Sequence, residues 1–249
     1  MKSPYGFWLP LDISKHGHQI DSLIVYFHIF MAVLFIGWLT FLVYLLIRFR
    51  ARPGHKAEYH VHHSKMPTFL EGAVLLVEII LLAGFSFPIW HQYRNDPPDP
   101  SKAFNVRIVA EQFAWNVHYP GADGVFGKTA PNLMNASNPV GLDGSDPASK
   151  DDVVAINQLH VPVNTPVRIE LTSKDVIHSF FLPVARVKMD VIPGQKVPVW
   201  FDTTQTGDFE IACAQLCGLG HYRMKGYFIV DDPAKFTEWF AQQTPGAPA

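Results

Sequence analysis

Apolar residues are concentrated in the first third of the chain, in two long segments without the alternation of a half-buried strand. Residues 23–47 contain no Asp, Glu, Lys or Arg, and residues 69–90 form a second apolar run. About 20 helical residues span the hydrocarbon core of a bilayer, so both segments are long enough to cross a membrane. A fully buried soluble helix is the alternative. The pattern predicts a transmembrane hairpin within residues 1–94, with helices at about 23–47 and 69–90.

The segment between the two predicted helices is short, polar and basic. Its cations are Arg48, Arg50, Arg52, Lys56 and Lys65. Short loops rich in Lys and Arg face the cytoplasm, so both termini and the rest of the chain are expected outside, in the periplasm or its equivalent. The loop also contains His55, His60, His62 and His63. These histidines could bind a metal, but a solvated loop at the lipid headgroups is the simpler interpretation.

Two carboxylates interrupt the second apolar run. Glu71 and Glu78 are seven positions apart, so they lie on nearly one helix face, about 10 Å apart along the axis. A charged side chain at mid-helix costs about 2.5–3.5 kcal/mol on insertion scales. Glu71 is close enough to the cytoplasmic end to reach the headgroups. Glu78 is deeper, and we expect it to be protonated or hydrogen-bonded.

After a proline-rich linker at residues 95–101, the hydrophobic pattern changes to a period of two. Short alternating segments separated by turn residues predict an all-β sandwich or barrel over residues 102–232. Residues 121–150, rich in Gly, Asn, Pro and Asp, are expected to form a surface excursion. Within residues 233–249, Pro233–Gln243 is expected to form a short amphipathic helix, followed by a tail. The first predicted strand begins with Phe104–Glu111 and is continued by Gln112–Tyr119. The other predicted strands are Val153–His160, Pro166–Thr172, Ile177–Leu182, Lys196–Asp202, Phe209–Cys213 and Gly226–Val230.

Composition and charge exclude several classes of function. The 249 residues carry a formal net charge of −2, so no basic excess indicates nucleic-acid binding. The sequence has no C-x-x-C-H motif, so no c-type haem is attached to it. It also lacks a G-x-G-x-x-G fingerprint, a P-loop and a serine-hydrolase elbow.

The only two cysteines lie in a cluster of soft metal ligands near the end of the chain. The spacing is C-x3-C-x3-H-x2-M, formed by Cys213, Cys217, His221 and Met224. Thiolate, imidazole and thioether together favour copper over hard cations. A mononuclear electron-transfer copper site needs one Cys, two His and a weak Met, so the second thiolate indicates two metal ions that share bridging sulfurs.

Other interpretations fit parts of this cluster. Two lone cysteines in an oxidising compartment usually form a disulfide. A zinc site would need a further N, S or O ligand in place of the thioether. The complete spacing favours dinuclear copper, which needs a second histidine from elsewhere. His178 is the best candidate, because it lies in a strand-like segment that ends at Pro183.

The ligand cluster, the D-V-I-H-S element at residues 175–179 and the two apolar segments resemble subunit II of haem-copper cytochrome c oxidases, in the form without a fused cytochrome c domain. The likeness covers nearly the whole chain. It implies a membrane-anchored all-β fold, in which a two-helix transmembrane hairpin precedes a cupredoxin Greek-key β-barrel. It implies a dinuclear copper (CuA) centre whose ligands are His178, Cys213, the backbone carbonyl of Gln215, Cys217, His221 and Met224.

One position departs from the family pattern. Many members carry Glu where this chain has Gln215, and that carboxylate helps to bind a magnesium ion near subunit I. Any residue supplies the carbonyl ligand, so the copper site is unaffected. The missing carboxylate puts the magnesium in question.

The resemblance also implies roles in proton and electron transfer. A Glu at the position of Glu71 marks the cytoplasmic entrance of a proton path into subunit I. Relatives often have proline at the position of Glu78, so the family gives that residue no role, and we expect it to face subunit I. An aromatic cluster over the copper receives electrons from cytochrome c, and its members align with Phe113 and Trp115. Ordinary core or surface aromatics are the alternative for these two.

We therefore expect this chain to be the subunit of a respiratory cytochrome c oxidase through which electrons enter, in a bacterial inner membrane. Copper would accept electrons from cytochrome c, or from a cytochrome c domain of a supercomplex, and pass them to haem in subunit I. Subunit I reduces oxygen to water and pumps protons, and subunit III is a further partner. The alternatives are a membrane-anchored copper delivery or storage protein and subunit II of a quinol oxidase, which typically lacks the copper ligands.

Overall fold

The computed structural model describes residues 9–54, 56, 59 and 63–243. The chain forms two compact units. One unit is helical and comprises Gln19–Asp96. The other joins the segment that ends at His18 to the residues from Pro97 onward.

The helical unit contains two long apolar helices, as predicted. Helix α1 is Gly17–Arg48, and the second begins with α2, Met66–Ile79. It continues through a π-helical segment, Ile80–Ser86, into α3, Phe87–Asn95. An 18-residue stretch of each helix has a mean hydropathy of 2.5 and 2.2, respectively, so by length and composition both helices can span a membrane. Both extend beyond their predicted ends, because polar flanking residues continue a helix without adding to the apolar pattern.

The π-helical segment of the second helix, Ile80–Ser86, has a local cause. Pro88 follows it in the first turn of α3 and has no N–H to donate to the helical ladder. Before it, the amide of Phe87 donates to the carbonyl of Leu82, and the Ser86 hydroxyl donates to the carbonyl of Leu81 at 3.2 Å. The bond from Phe87 joins backbone groups five residues apart, which is the π-helical spacing.

The second unit is a sandwich of two five-stranded sheets, which confirms the predicted cupredoxin-like all-β fold. One sheet has the order β3-β2-β1-β5-β8, and the other has the order β4-β10-β9-β6-β7. Helix α4, Pro233–Gln243, has the predicted bounds. The strands are β1 Phe104–Glu111, β2 Ala114–Tyr119, β3 Val153–Ile156, β4 Gln158–Pro162, β5 Pro166–Ser173, β6 His178–Leu182, β7 Val187–Val191, β8 Val197–Asp202, β9 Gly207–Cys213 and β10 Lys225–Asp231.

Three strand predictions are wrong. The strand predicted to continue through Gln112–Tyr119 turns back after Glu111, so β1 and β2 pair antiparallel. The single strand predicted at Val153–His160 breaks at Asn157, whose φ of 58° is left-handed, so β3 and β4 belong to different sheets. Asn157 exchanges backbone hydrogen bonds with both sheets, donating to Trp115 O at 2.7 Å and accepting from Tyr227 N at 2.7 Å. Strand β7 was not predicted, although Val187, Met189 and Val191 alternate with charged residues as in a half-buried strand. It pairs antiparallel with β6.

The segment before α1 packs with the β unit, whereas the sequence pattern grouped it with the hairpin at residues 1–94. Ile13 is fully buried in the β core. Its N–H donates to Val184 O at 2.9 Å, and its carbonyl accepts from Thr204 N at 2.7 Å. The Arg186 guanidinium donates to Pro10 O at 2.6 Å. This segment therefore belongs to the body that carries the candidate site.

Candidate metal centre

Three of the six predicted ligands lie at or directly beside the ends of strands in the second sheet, and the other three lie in the loop between β9 and β10. Cys213 is the last residue of β9, and Met224 directly precedes β10. His178 is the first residue of β6, which pairs with β9 so that Phe180 lies opposite Cys213. Strand pairing thus brings a histidine from mid-chain beside the later loop, here called the metal loop, residues 213–224.

The donor atoms converge around two sulfurs. The Cys213 Sγ lies 3.8 Å from Cys217 Sγ and 3.9 Å from His178 Nδ1. The Cys217 Sγ lies 3.6 Å from His221 Nδ1 and 3.7 Å from Met224 Sδ. Both cysteines are free thiols. Because metal–ligand bonds are about 2.0–2.3 Å long, donors at these separations can share metal ions without a change of fold.

The remaining predicted ligand is also in place. The backbone carbonyl oxygen of Gln215 lies 3.2 Å from Cys213 Sγ. The ligand atoms of His178, Cys213 and Cys217 all lie within 4.8 Å of one another. Two thiols therefore stand between two imidazoles, a thioether and a carbonyl. This soft donor set with two central sulfurs fits a pair of copper ions better than one hard cation.

The two thiols differ in acidity. Burial opposes ionisation of Cys213, but hydrogen bonding from His178 and from backbone amides outweighs it and lowers the pKa of the thiol to about 6. Burial raises the pKa of Cys217 to about 11, and the neighbouring Cys213 adds to this effect. Metal binding must therefore displace a proton that Cys217 holds at neutral pH, so metal affinity should increase with pH.

The His178 ring is held in one orientation. It is fully buried, and its Nε2 lies 2.9 Å from Asp175 Oδ1. Burial opposes protonation, but the bonds to Cys213 and Asp175 dominate and raise the pKa of His178. With Nε2 bonded to the carboxylate, Nδ1 faces Cys213 and the metal loop.

The two aromatic residues predicted for electron transfer both lie beside the metal loop. Phe113 packs beneath it so closely that a Cβ on Gly220 would come within 2.4 Å of the ring. Trp115 is fully buried in the core, edge-on to the His178 ring with a centroid distance of 6.2 Å. Phe113 is half-buried, and Arg223 lies 6.0 Å from the centre of its ring.

The other predicted functional residues belong to the helical unit and are far from the metal loop in sequence. Glu71 and Glu78 are exposed side chains on α2. Their proposed roles stay predictions. His55, His60 and His62 lie outside the described residues, so the suggestion of a metal site in that loop also stays a prediction.

Sequence reasoning missed two residues that contact the ligands. Asp175 holds His178, and the D-x-x-H spacing could have indicated it. Gln112 donates its side-chain amide to the carbonyl of Cys217 at 2.6 Å across 105 positions. Nothing in the local sequence around Gln112 indicates this contact, because it depends on how β1 and β9 are placed.

Comparisons with known proteins identify the family to which this chain belongs. Residues 105–230 match the family model described as cytochrome c oxidase subunit II, periplasmic domain. The alternative cytochrome c oxidase subunit 2 of Bradyrhizobium diazoefficiens is 34% identical over 97% of this chain and 85% of its own. The cytochrome c oxidase subunit 2 of Synechocystis is 27% identical over 95% of this chain and 76% of its own.

Among solved structures, the chain is similar to the periplasmic domain of subunit II of cytochrome oxidase from Bradyrhizobium japonicum. The two are 29% identical, with a TM-score of 0.43, over 59% of this chain and 95% of the other.

Proposed function

This chain belongs to the cytochrome c oxidase subunit II family, and from that premise we propose that it is the subunit through which electrons enter a respiratory oxidase. The observation that carries the proposal is the convergence of two thiols, two imidazoles, a thioether and a carbonyl on one loop and one strand end. In the proposed complex, electrons from cytochrome c pass through this chain to haem in subunit I. There oxygen is reduced to water and protons are pumped.

The proposed copper ligands are His178, Cys213, the carbonyl of Gln215, Cys217, His221 and Met224. When bound, a dinuclear copper (CuA) centre supplies one-electron chemistry with the charge shared between two ions. The protein's contribution is a rigid frame. His178 and Cys213 lie at strand ends inside hydrogen-bonded ladders, and Met224 directly precedes β10, so these ligands have little freedom to move when the charge changes. The carboxylate that would help to hold magnesium is absent at Gln215, and we propose no magnesium there.

The proposed partners are subunits I and III of the oxidase, and cytochrome c or a cytochrome c domain of a supercomplex. The tip of the metal loop supports a protein contact here. Leu216, Leu219 and Tyr222 are 76%, 98% and 87% exposed, and clustered exposed apolar side chains mark interaction surfaces. Residues 101–249 carry 15 acidic and 12 basic side chains, so electrostatic attraction of a basic donor would be weak.

Proton and electron paths are part of the same proposal. Glu71 is proposed as the cytoplasmic entrance of a proton path into subunit I. Phe113 and Trp115 are proposed to carry electrons towards the copper, and their packing against Gly220 and His178 supports this. The proposed location is a bacterial inner membrane, with the copper-binding unit and both termini on the periplasmic side.

The test is purification of the membrane complex through a tag on this chain. We expect haem to co-purify and the complex to consume oxygen with reduced cytochrome c as donor. The Cys217→Ser variant should retain the haem but lose cytochrome c oxidation. Recovery of the chain without haem, together with transfer of its copper to an acceptor, would instead indicate a copper delivery protein.

A further inference from the structure

Gln112 links two parts of the metal centre that are far apart in sequence. It lies in the turn between β1 and β2. Its backbone N–H donates to Asp175 Oδ2 at 2.8 Å, and its side-chain Nε2 donates to the carbonyl of Cys217 at 2.6 Å. A carbonyl can only accept a hydrogen bond, so the amide nitrogen of Gln112 must face Cys217.

Asp175 carries this link on to a proposed ligand. While Oδ2 accepts from Gln112, Oδ1 accepts from the Nε2 of His178 at 2.9 Å and from the amide of Val176 at 2.7 Å. The carboxylate is thus held from three sides. One residue in the β1–β2 turn therefore bonds both to the residue that orients His178 and to the peptide that follows Cys217.

Close packing leaves the Gln112 amide little room to move. Gly218 has a φ of 136°, and a Cβ at this position would lie 2.6 Å from Gln112 Nε2. A Cβ at Gly220 would lie 2.4 Å from the Phe113 ring. The metal loop can approach the β1–β2 turn only because it has glycine at both positions.

We propose that Gln112 is a positioning residue of the metal centre, which holds the His178 segment and the metal loop at a fixed separation through Asp175 and the Cys217 carbonyl. As far as copper is concerned, this inference rests on the proposed function. Hydrogen-bond partners of metal ligands commonly change metal affinity by about 10- to 100-fold when they are removed.

The test compares Gln112→Met with Gln158→Met in the purified full-length chain. Methionine keeps the side-chain length and the backbone N–H but cannot donate to Cys217. Gln158 is an exposed residue of β4 and provides the matched control. After loading with copper ions, Gln112→Met should bind copper about tenfold more weakly and show altered copper hyperfine splitting and reduction potential. The control should match the wild type in all three.

A metal-free measurement separates this inference from the proposed function. Without metal, amide hydrogen exchange in residues 217–224 should be about fivefold faster in Gln112→Met, as expected for loss of one partly exposed hydrogen bond. If the wild type binds no copper pair, the proposed function fails, and this exchange result alone decides the role of Gln112. Unchanged exchange, or unchanged copper affinity and spectrum in a chain that does bind copper, would overturn the inference.

Discussion

Replacement of Ile13 by Ala should destabilise the β unit although the residue is more than 80 positions from β1. Ile13 is 0% exposed within the core between the sheets. The substitution removes three carbon atoms, at about 0.8 kcal/mol each, or about 2.4 kcal/mol before any cavity is counted. Buried Ile→Ala changes cost about 2–5 kcal/mol once the cavity is included. We therefore expect the free energy of unfolding of this unit to fall by about 3 kcal/mol.

Hydrogen exchange of the full-length chain, read by mass spectrometry, measures this loss directly. A decrease of about 3 kcal/mol corresponds to about 100-fold faster exchange of the most protected amides in β5 to β8. Leu11→Ala is the control, since Leu11 is in the same segment but 42% exposed, and it should change stability by less than about 0.5 kcal/mol. Equal exchange in the Ile13 variant and the wild type would refute the assignment of this segment to the β core.

Three further predictions follow from single contacts. Burial lowers the pKa of His16 to about 4 and also lowers the pKa of His118, so the unfolded chain takes up protons on these histidines at a higher pH than the folded chain. The free energy of unfolding should therefore fall as the pH drops below about 6.5. Each of these histidines contributes a decrease of up to about 1.4 kcal/mol per pH unit. Urea titrations measure this decrease, and a free energy of unfolding that does not change with pH would contradict it. Gly220→Ala should displace Phe113 and weaken copper binding in equilibrium titrations, unlike Gly144→Ala, where an added Cβ meets open space. Glu71→Ala should slow proton uptake by the oxidase complex, and unchanged uptake and turnover would exclude the proton-entrance role.

The features that the sequence predicted depend on local patterns. The two apolar helices follow from the length of uncharged runs, which is set by bilayer thickness. The ligands of the metal loop lie within twelve residues, so their spacing is visible without the fold. The position of His178 beside the metal loop is not visible in the local sequence, because strand pairing between β6 and β9 brings it there.

The features that the sequence did not predict depend on placement in three dimensions. At Asn157 the chain changes sheets within one short, mostly apolar run, so the hydrophobic pattern does not mark the break. Ile13 lies in a mixed segment with Leu9 and Leu11, and only its packing in the β core shows that it is the buried one of Leu11 and Ile13. Gln112 is exposed and polar, and it contacts Cys217 only because the β1–β2 turn lies against the metal loop.

The central claim is that this chain holds a dinuclear copper centre. Electron paramagnetic resonance of the copper-loaded full-length chain, combined with copper quantitation, tests it most directly. We expect two coppers per chain and a seven-line mixed-valence signal that is absent in Cys213→Ser. A four-line mononuclear signal, or no stable copper, would contradict the account.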